Sequence, residues 1–562
     1  MMELATCKGT YSPEEPITLS LDCGGTIVST ADVYVTRLEK VVLRLCIPVV
    51  GDRMCIELPV MSENNVCYGI EARLLYDGHE VGRAATAANM GSDVVRYGFL
   101  SDFQPEDNED IACMAKYHID HVQFYDWSYR HDTLVSPTQE YCDMMGKRNN
   151  MPVIQQKIDA CHERGMLTMA YGAVYAASRE FWETHKSWGL YAADHQPMRF
   201  IGVFYYMDIE GPWREHLFRQ YLDAIRRAGF DGIHMDAYGE PKRALSAQGE
   251  IRELETALPK LIGDTDTFLR KAGETPHLIF NNVGGWPVEL TRHEPQDAVY
   301  MELWPPMDCL RHIRQAVSLA LPAGKPIVLA VYPAPFRTDA PERALYGELI
   351  LSFAIALCGA TQLFLGERDA VVTQGYYADY VRLESWQSEK IKAYQDFFVR
   401  YQELLFDRSI HDVSLTHSGG DNKEYACDSP FSVEAEPGKL WLTFRENSVI
   451  KVIGLINLVN ETDDHWNQGK EKPVPQENIV LHVLMLHPVE CAWYATPDDH
   501  NGAARKLYSD CRQTADGVVA TICVPRLDCS GLLWLQRSRS SDEAEEGLSK
   551  KAISHHKVTP PK

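Results

Sequence analysis

The spacing of apolar residues changes character twice along the chain. Up to residue 92 the apolar runs are short and rich in β-branched side chains: 17–21, 32–38 and 41–50. Residues 69–76 and 79–82 flank Asp77-Gly78, a pair that favours tight hairpin turns. This pattern predicts a small immunoglobulin-like β-sandwich over 1–92. From 93 to 404 short apolar runs alternate with helical stretches. The runs are 96–100, 121–125, 167–171, 232–236, 278–282, 298–302, 327–331 and 362–366. Residues 151–164 and 216–228 read as helices that stop at Gly165 and Gly229. Eight strand–helix units predict a (β/α)8 TIM barrel. An open doubly wound sheet is the alternative, but no glycine-rich dinucleotide loop follows the first strand. Strand-like runs return at 439–444, 449–459, 478–486 and 517–524, predicting a second β-sandwich over 405–537. The tail, 538–562, is rich in Ser, Glu and Lys and is expected to be disordered.

Composition narrows the function. The 562 residues are 45% hydrophobic and 24% charged, which excludes a disordered or fibrous chain. No apolar run is long enough to span a bilayer. The formal net charge of −24 makes nucleic acid and anionic membranes poor partners and favours a neutral substrate. The 15 cysteines are scattered and odd in number. No CxxC pair or Cys/His cluster with zinc spacing stands out. The first residues lack a basic stretch followed by an apolar one. Free thiols in a cytoplasmic protein are therefore expected, or a secreted protein if the N-terminus was trimmed. Oligomeric state is not legible.

In a TIM barrel the chemistry sits at the C-terminal ends of the strands. Strand 2 ends in Tyr125-Asp126-Trp127, with His131 in the loop beyond. Strand 3 ends in Tyr171, strand 4 in His234-Met235-Asp236, strand 5 in Asn281-Asn282, strand 6 in Glu302-Leu303-Trp304 and strand 8 in Gly366-Glu367. Asp236 and Glu302 stand out as acids closing apolar strands. A carboxylate pair is what glycoside hydrolysis requires: one ionised, the other holding a proton for the leaving oxygen. Tyr300, Glu302 and Trp304 share one strand face, and apolar surroundings favour a protonated carboxyl there. Asp236 shares its face with His234, which suits an ionised nucleophile. A loop-capping or Arg-paired role is the alternative for each. Asp126 either binds substrate or bonds Arg130; His131 is a sugar ligand or a loop partner. Trp127 and Trp304 either stack on sugar rings or fill the barrel mouth. Only one of Asn281 and Asn282 can face the site. Glu367 is a further candidate for substrate contact. HExxH, GxSxG, GxxxxGK[ST] and EF-hand patterns are missing, so no cofactor and no obligatory metal are expected.

At these residues the sequence resembles glycoside hydrolase family 66, the endo-dextranases and cycloisomaltooligosaccharide glucanotransferases. The segments that carry the resemblance are 96–103, 121–131, 229–236, 280–285, 300–304, 455–458 and 466–467. It implies a β-sandwich, a TIM barrel and a C-terminal β-sandwich. It also implies a retaining mechanism, with Asp236 as nucleophile and Glu302 as general acid/base, acting on α-1,6-linked glucan or isomaltooligosaccharides. His234-Met235 replaces the Gln-Gly associated with the family before the nucleophile. The alternatives are a transglycosylase forming cyclic isomaltooligosaccharides and an α-glucan-binding protein with altered catalysis.

Overall fold

A computed structural model describes residues 2–61, 63, 66–91, 93–105, 111–375, 380–489 and 491–536. The expected disordered tail, 538–562, lies outside the described residues. The chain divides into two compact units. The first comprises residues 1–406 and 463–472; the second comprises 407–462 and 473–562.

The first unit begins with two antiparallel sheets around one core. Three strands (Glu3–Thr6, Thr18–Asp22, Arg53–Glu57) form one, and four (Thr30–Arg37, Lys40–Pro48, Val66–Tyr76, His79–Met90) form the other. Leu19, Leu21, Val33, Val35, Ile70 and Leu74 alternate inward and are buried between them, as a half-buried strand's period of two requires. Asp77 and Gly78 both hold positive φ, 47° and 79°, at the predicted hairpin. Arg400, on the helix Ser385–Arg400, reaches this sandwich and bonds Thr36 at 3.0 Å and Glu71 at 2.8 Å.

The barrel follows. Its strands are β1 (Tyr97–Leu100), β2 (His121–Phe124), β3 (Leu167–Ala173), β4 (Gly232–Asp236), β5 (His277–Val283), β6 (Ala298–Glu302), β7 (Ile327–Ala330) and β8 (Thr361–Leu363). They form one parallel sheet in sequence order. The ring closes where Phe99 pairs in parallel with Gly366 and donates from its amide to Leu365 at 3.1 Å. Buried on both faces, these strands read as near-continuous apolar runs. Register sets which side chains enter the barrel. Tyr171 lies opposite His234, and Asn281 opposite Tyr300. The helix Met151–His162 starts at Asn150, whose side chain accepts from the Val153 amide. Glycine follows it at Gly165, where φ is +68° and an added Cβ would lie 2.6 Å from the Thr10 carbonyl oxygen.

The second unit is antiparallel except where Phe431–Ser432 pairs in parallel with Leu440–Glu446. Ten strands form a continuous sheet over one core that includes Leu442, Phe444, Leu455, Val483, Ile522 and Leu533. Six of its strands were not among the runs picked out in the sequence, the longest being Cys491–Ala495, Arg505–Gln513 and Ser530–Gln536. No helix among the described residues is long and apolar enough to cross a membrane.

Candidate active site

The C-terminal ends of the strands enclose an open cavity of about 660 Å³. Its floor is a layer of rings. The Tyr97 hydroxyl lies 3.0 Å from His234 Nδ1. The His234 ring stacks near Tyr97 at 5.7 Å and meets the Tyr300 ring edge-on at 5.0 Å. Burial drives the His234 pKa down to about 3, so the imidazole is neutral.

Two residues further along β4 and β6, on the same inner face, stand Asp236 and Glu302, both lining the cavity. Asn281, from β5 between them, donates Nδ2 to Asp236 Oδ1 at 2.8 Å and to Glu302 Oε2 at 3.1 Å. Tyr171 donates its hydroxyl to Asp236 Oδ2 at 2.7 Å. A single nitrogen reaching both carboxylates holds those oxygens within about 6 Å, short of the roughly 6.5–9.5 Å typical of inverting pairs. Burial, then the Glu302 charge, pushes Asp236 up to about 7, against the hydrogen bonds from Tyr171 and Asn281. Burial also raises Glu302, against hydrogen bonds from Asn281, Trp304 and Tyr332. Apolar surroundings therefore do not single out Glu302, as the sequence argument supposed; desolvation acts on both. Two facing buried carboxyls cannot easily both ionise, so the pair favours one shared proton near neutrality.

Asp126 also lines the cavity, at φ +49°. Burial raises it to about 7, against the pull of Lys147. The Arg130 guanidinium instead donates to the carbonyls of Tyr129 and Cys142. His131 lines the cavity beside Tyr171 and Phe204, with Nδ1 buried and unpartnered; burial lowers it to about 4. Tyr125 and Tyr171 stand together at the mouth, ring centroids 4.8 Å apart.

Four predicted contacts fall elsewhere. Trp127 is fully buried behind the barrel wall, against Phe230 at 4.6 Å, with its indole N–H on the Tyr171 carbonyl. The left-handed backbone at Asp126 breaks the strand alternation just before it. Asn282 faces outward: it donates to the Tyr300 carbonyl at 2.8 Å and accepts from Thr291 at 2.5 Å. Glu367 lies outside the lining; it accepts from the amides of Ser101 and Asp102 and sits 3.7 Å from Lys157 Nζ. Trp304 packs on Tyr332 at 6.2 Å and bonds Glu302 without lining the cavity. Its contacts in this structure are with the Glu302 carboxyl and the Tyr332 ring.

The strand-end reading also missed residues. Tyr332 lies just beyond β7, whose end it did not consider. Phe200, Ile201 and Phe204 come from a hairpin inserted after β3, and Phe200 stacks on Tyr238 at 4.3 Å. The aromatic-and-apolar run Phe200-Ile201-Gly202-Val203-Phe204 was the available signal.

A family model described as glycosyl hydrolase family 66 matches residues 6–530. A cycloisomaltooligosaccharide glucanotransferase of Niallia circulans is 22% identical over 83% of this chain and 64% of its own length. A dextranase of Streptococcus salivarius is 19% identical over 80% of this chain and 64% of its own. The chain thus spans just under two thirds of the length of these curated relatives. A Paenibacillus cycloisomaltooligosaccharide glucanotransferase, solved in complex with cycloisomaltoheptaose, shares the fold. Its TM-score is 0.84 at 19% identity, covering 95% of this chain and 100% of that one.

Proposed function

The chain belongs to glycosyl hydrolase family 66, and on that premise we propose that it cleaves α-1,6-glucosidic bonds in dextran or isomaltooligosaccharides with retention of configuration. The observation that carries this reading is the Asn281 bridge between Asp236 and Glu302 inside an aromatic-walled cavity. In the first step Asp236 attacks the anomeric carbon while Glu302 gives its proton to the departing glycosidic oxygen. In the second, Glu302 takes a proton from water, whose oxygen displaces Asp236. Hydrogen bonds from Tyr171 and Asn281 stabilise the carboxylate form of Asp236 that the attack needs. The Asp/Glu roles rest on the family resemblance of the β4 and β6 segments, because burial raises both groups.

A second reading has support in the similarity to two glucanotransferase sequences, one of them 28% identical over 46% of this chain. There a sugar hydroxyl replaces water in the second step and the product is a ring. Hydrolysis is the proposal, because no inserted domain separates β7 from β8 to hold a distant chain end, and closing a long loop costs entropy. The test is a product profile over a panel of α-glucans, with Asp236→Asn as the blank. Linear isomaltooligosaccharides released from dextran support the proposal. Cyclic products at the anhydro mass favour the transferase, and no release from any α-1,6-glucan rejects both.

A further inference from the structure

The hairpin inserted after β3 turns at Phe200-Ile201-Gly202-Val203, where the Val203 amide donates to the Phe200 carbonyl at 3.1 Å. Both central residues hold positive φ, +45° at Ile201 and +77° at Gly202, the pattern of a type I′ turn. Gly202 suits its place, because glycine has no Cβ to clash there. Ile201 does not. Asn, Asp or Gly ordinarily takes the first central position of such a turn. A β-branched side chain is among the poorest fits to a left-handed backbone, since its Cβ crowds the following carbonyl.

Packing within the chain does not account for the choice, because Ile201 is 55% exposed. It nonetheless lines the same cavity as Asp236 and Glu302. The base of the hairpin is firmly held. Phe200 and Phe204 pair across its strands. Phe200 stacks on Tyr238 at 4.3 Å, and Phe204 packs against the His131 ring at 5.1 Å. On the other side Tyr205 stacks on Trp182 at 4.6 Å. Tyr205 and Tyr206 also pair with Ala176–Ala177, just beyond β3. The tip therefore holds an apolar side chain at the cavity, in a backbone state that side chain disfavours. Strained residues over-determined by their surroundings gather at ligand clamps.

We propose that Ile201 is a substrate contact, an apolar lip on which the glucan chain rests beyond the glucosyl unit being cleaved. The inference rests on the glucan-cleaving reading given above. Pyranose rings present C–H faces, and laying one on an aliphatic side chain removes apolar surface of both from water. The exposed part of Ile201 is the part a chain would cover. Such a contact is non-directional. A linkage through the 6-position carries one more rotatable bond than a linkage to a ring hydroxyl, so the chain reaches the lip in many conformations. An apolar rest accepts them, whereas a fixed hydrogen bond demands that the chain first be ordered.

The test compares the full-length wild type with Ile201→Asn and Ile201→Leu. Asn tolerates a left-handed backbone, so Ile201→Asn relaxes the turn while removing the apolar surface. Two opposed changes are expected. Hydrogen exchange across residues 199–206 should slow, because the turn opens less often. The kcat/KM for a long isomaltooligosaccharide, divided by that for the smallest activated α-glucoside the wild type turns over, should fall about tenfold. Ile201→Leu keeps the apolar surface and should restore that ratio. A purely structural Ile201 would leave the ratio where it was. An unchanged ratio in Ile201→Asn therefore overturns the proposal, as does faster exchange across the hairpin, which would remove the strain. A loss that Ile201→Leu does not restore also overturns it. A wild type that cleaves no α-1,6-glucan overturns the proposed function and this inference together. An active wild type matched by Ile201→Asn overturns the role of Ile201 alone.

Discussion

Glu367 just beyond β8 and the pair Asp236 and Glu302 at the ends of β4 and β6 hold equivalent places on one barrel rim. Glu367 is buried and Asp236 and Glu302 are half-buried, and their surroundings are opposite. Around Glu367 the protein closes completely: two backbone amides and the Lys157 ammonium surround it. Lys157 also donates to the Asp102 carbonyl at 2.6 Å, so the charge cluster ties the end of the barrel sheet back to its beginning. Asp236 and Glu302 instead face the cavity and share one amide donor, with no lysine or arginine among the described residues lining it. A carboxylate locked by a cation has no use for a mobile proton; a facing pair without one can pass it back and forth. Strand-end position makes an acid available, and the local charge balance decides whether its proton is free to move.

That contrast can be broken from either side. The largest effect is expected at Asp236. Asp236→Gly should lose on the order of four or more decades in rate, since it closes the covalent route. Added azide should restore turnover as a glycosyl azide of inverted configuration. Next is Glu302→Gln, which should lose about 10²–10⁴-fold on substrates with poor leaving groups and far less on activated aryl glycosides. An equal loss on both would remove the acid role. At the other pole, Glu367→Gln removes the carboxylate that faces the Lys157 ammonium in the interior. It should cost about 3 kcal/mol of stability, measured by denaturant unfolding, while the leaving-group dependence of the folded enzyme stays that of the wild type.

The smallest expected change is the most diagnostic of the electrostatics. Tyr171 donates to Asp236 and so favours its anion. On the proposed mechanism Asp236 must be ionised to attack, so activity should fall as pH drops through its pKa of about 7. Tyr171→Phe removes a stabilising donor and raises that pKa. The acidic limb of kcat/KM should therefore move up by about one pH unit. A limb that stays put, or moves down, would separate Tyr171 from the titrating group.

Much of this arrangement was legible in the residues. The eight strands follow from apolar runs of the right length, and Asp236 and Glu302 from the cost of ending such a run in an acid. The period of two foretold that adjacent Asn281 and Asn282 must part; it could not say which turned inward, since that depends on register with β6. Trp127 and Glu367 misled for a different reason. One follows a left-handed residue that reverses the alternation, and the other finds its cation on the helix after β2. Neither a single positive φ nor a partner 210 residues away leaves a local trace. The hairpin carrying Phe200 and Phe204 was equally hidden, because strand ends say nothing about what a long loop folds back over the mouth.

The most direct measurement of the central claim is the anomeric configuration of the first product. Proton NMR should follow an isomaltooligosaccharide treated with enough enzyme that cleavage outruns mutarotation. If Asp236 and Glu302 are a close pair acting by double displacement, the new reducing end appears as the α-anomer and the β-anomer grows in only later. A β-anomer formed first would mean a single displacement by water and would contradict the account.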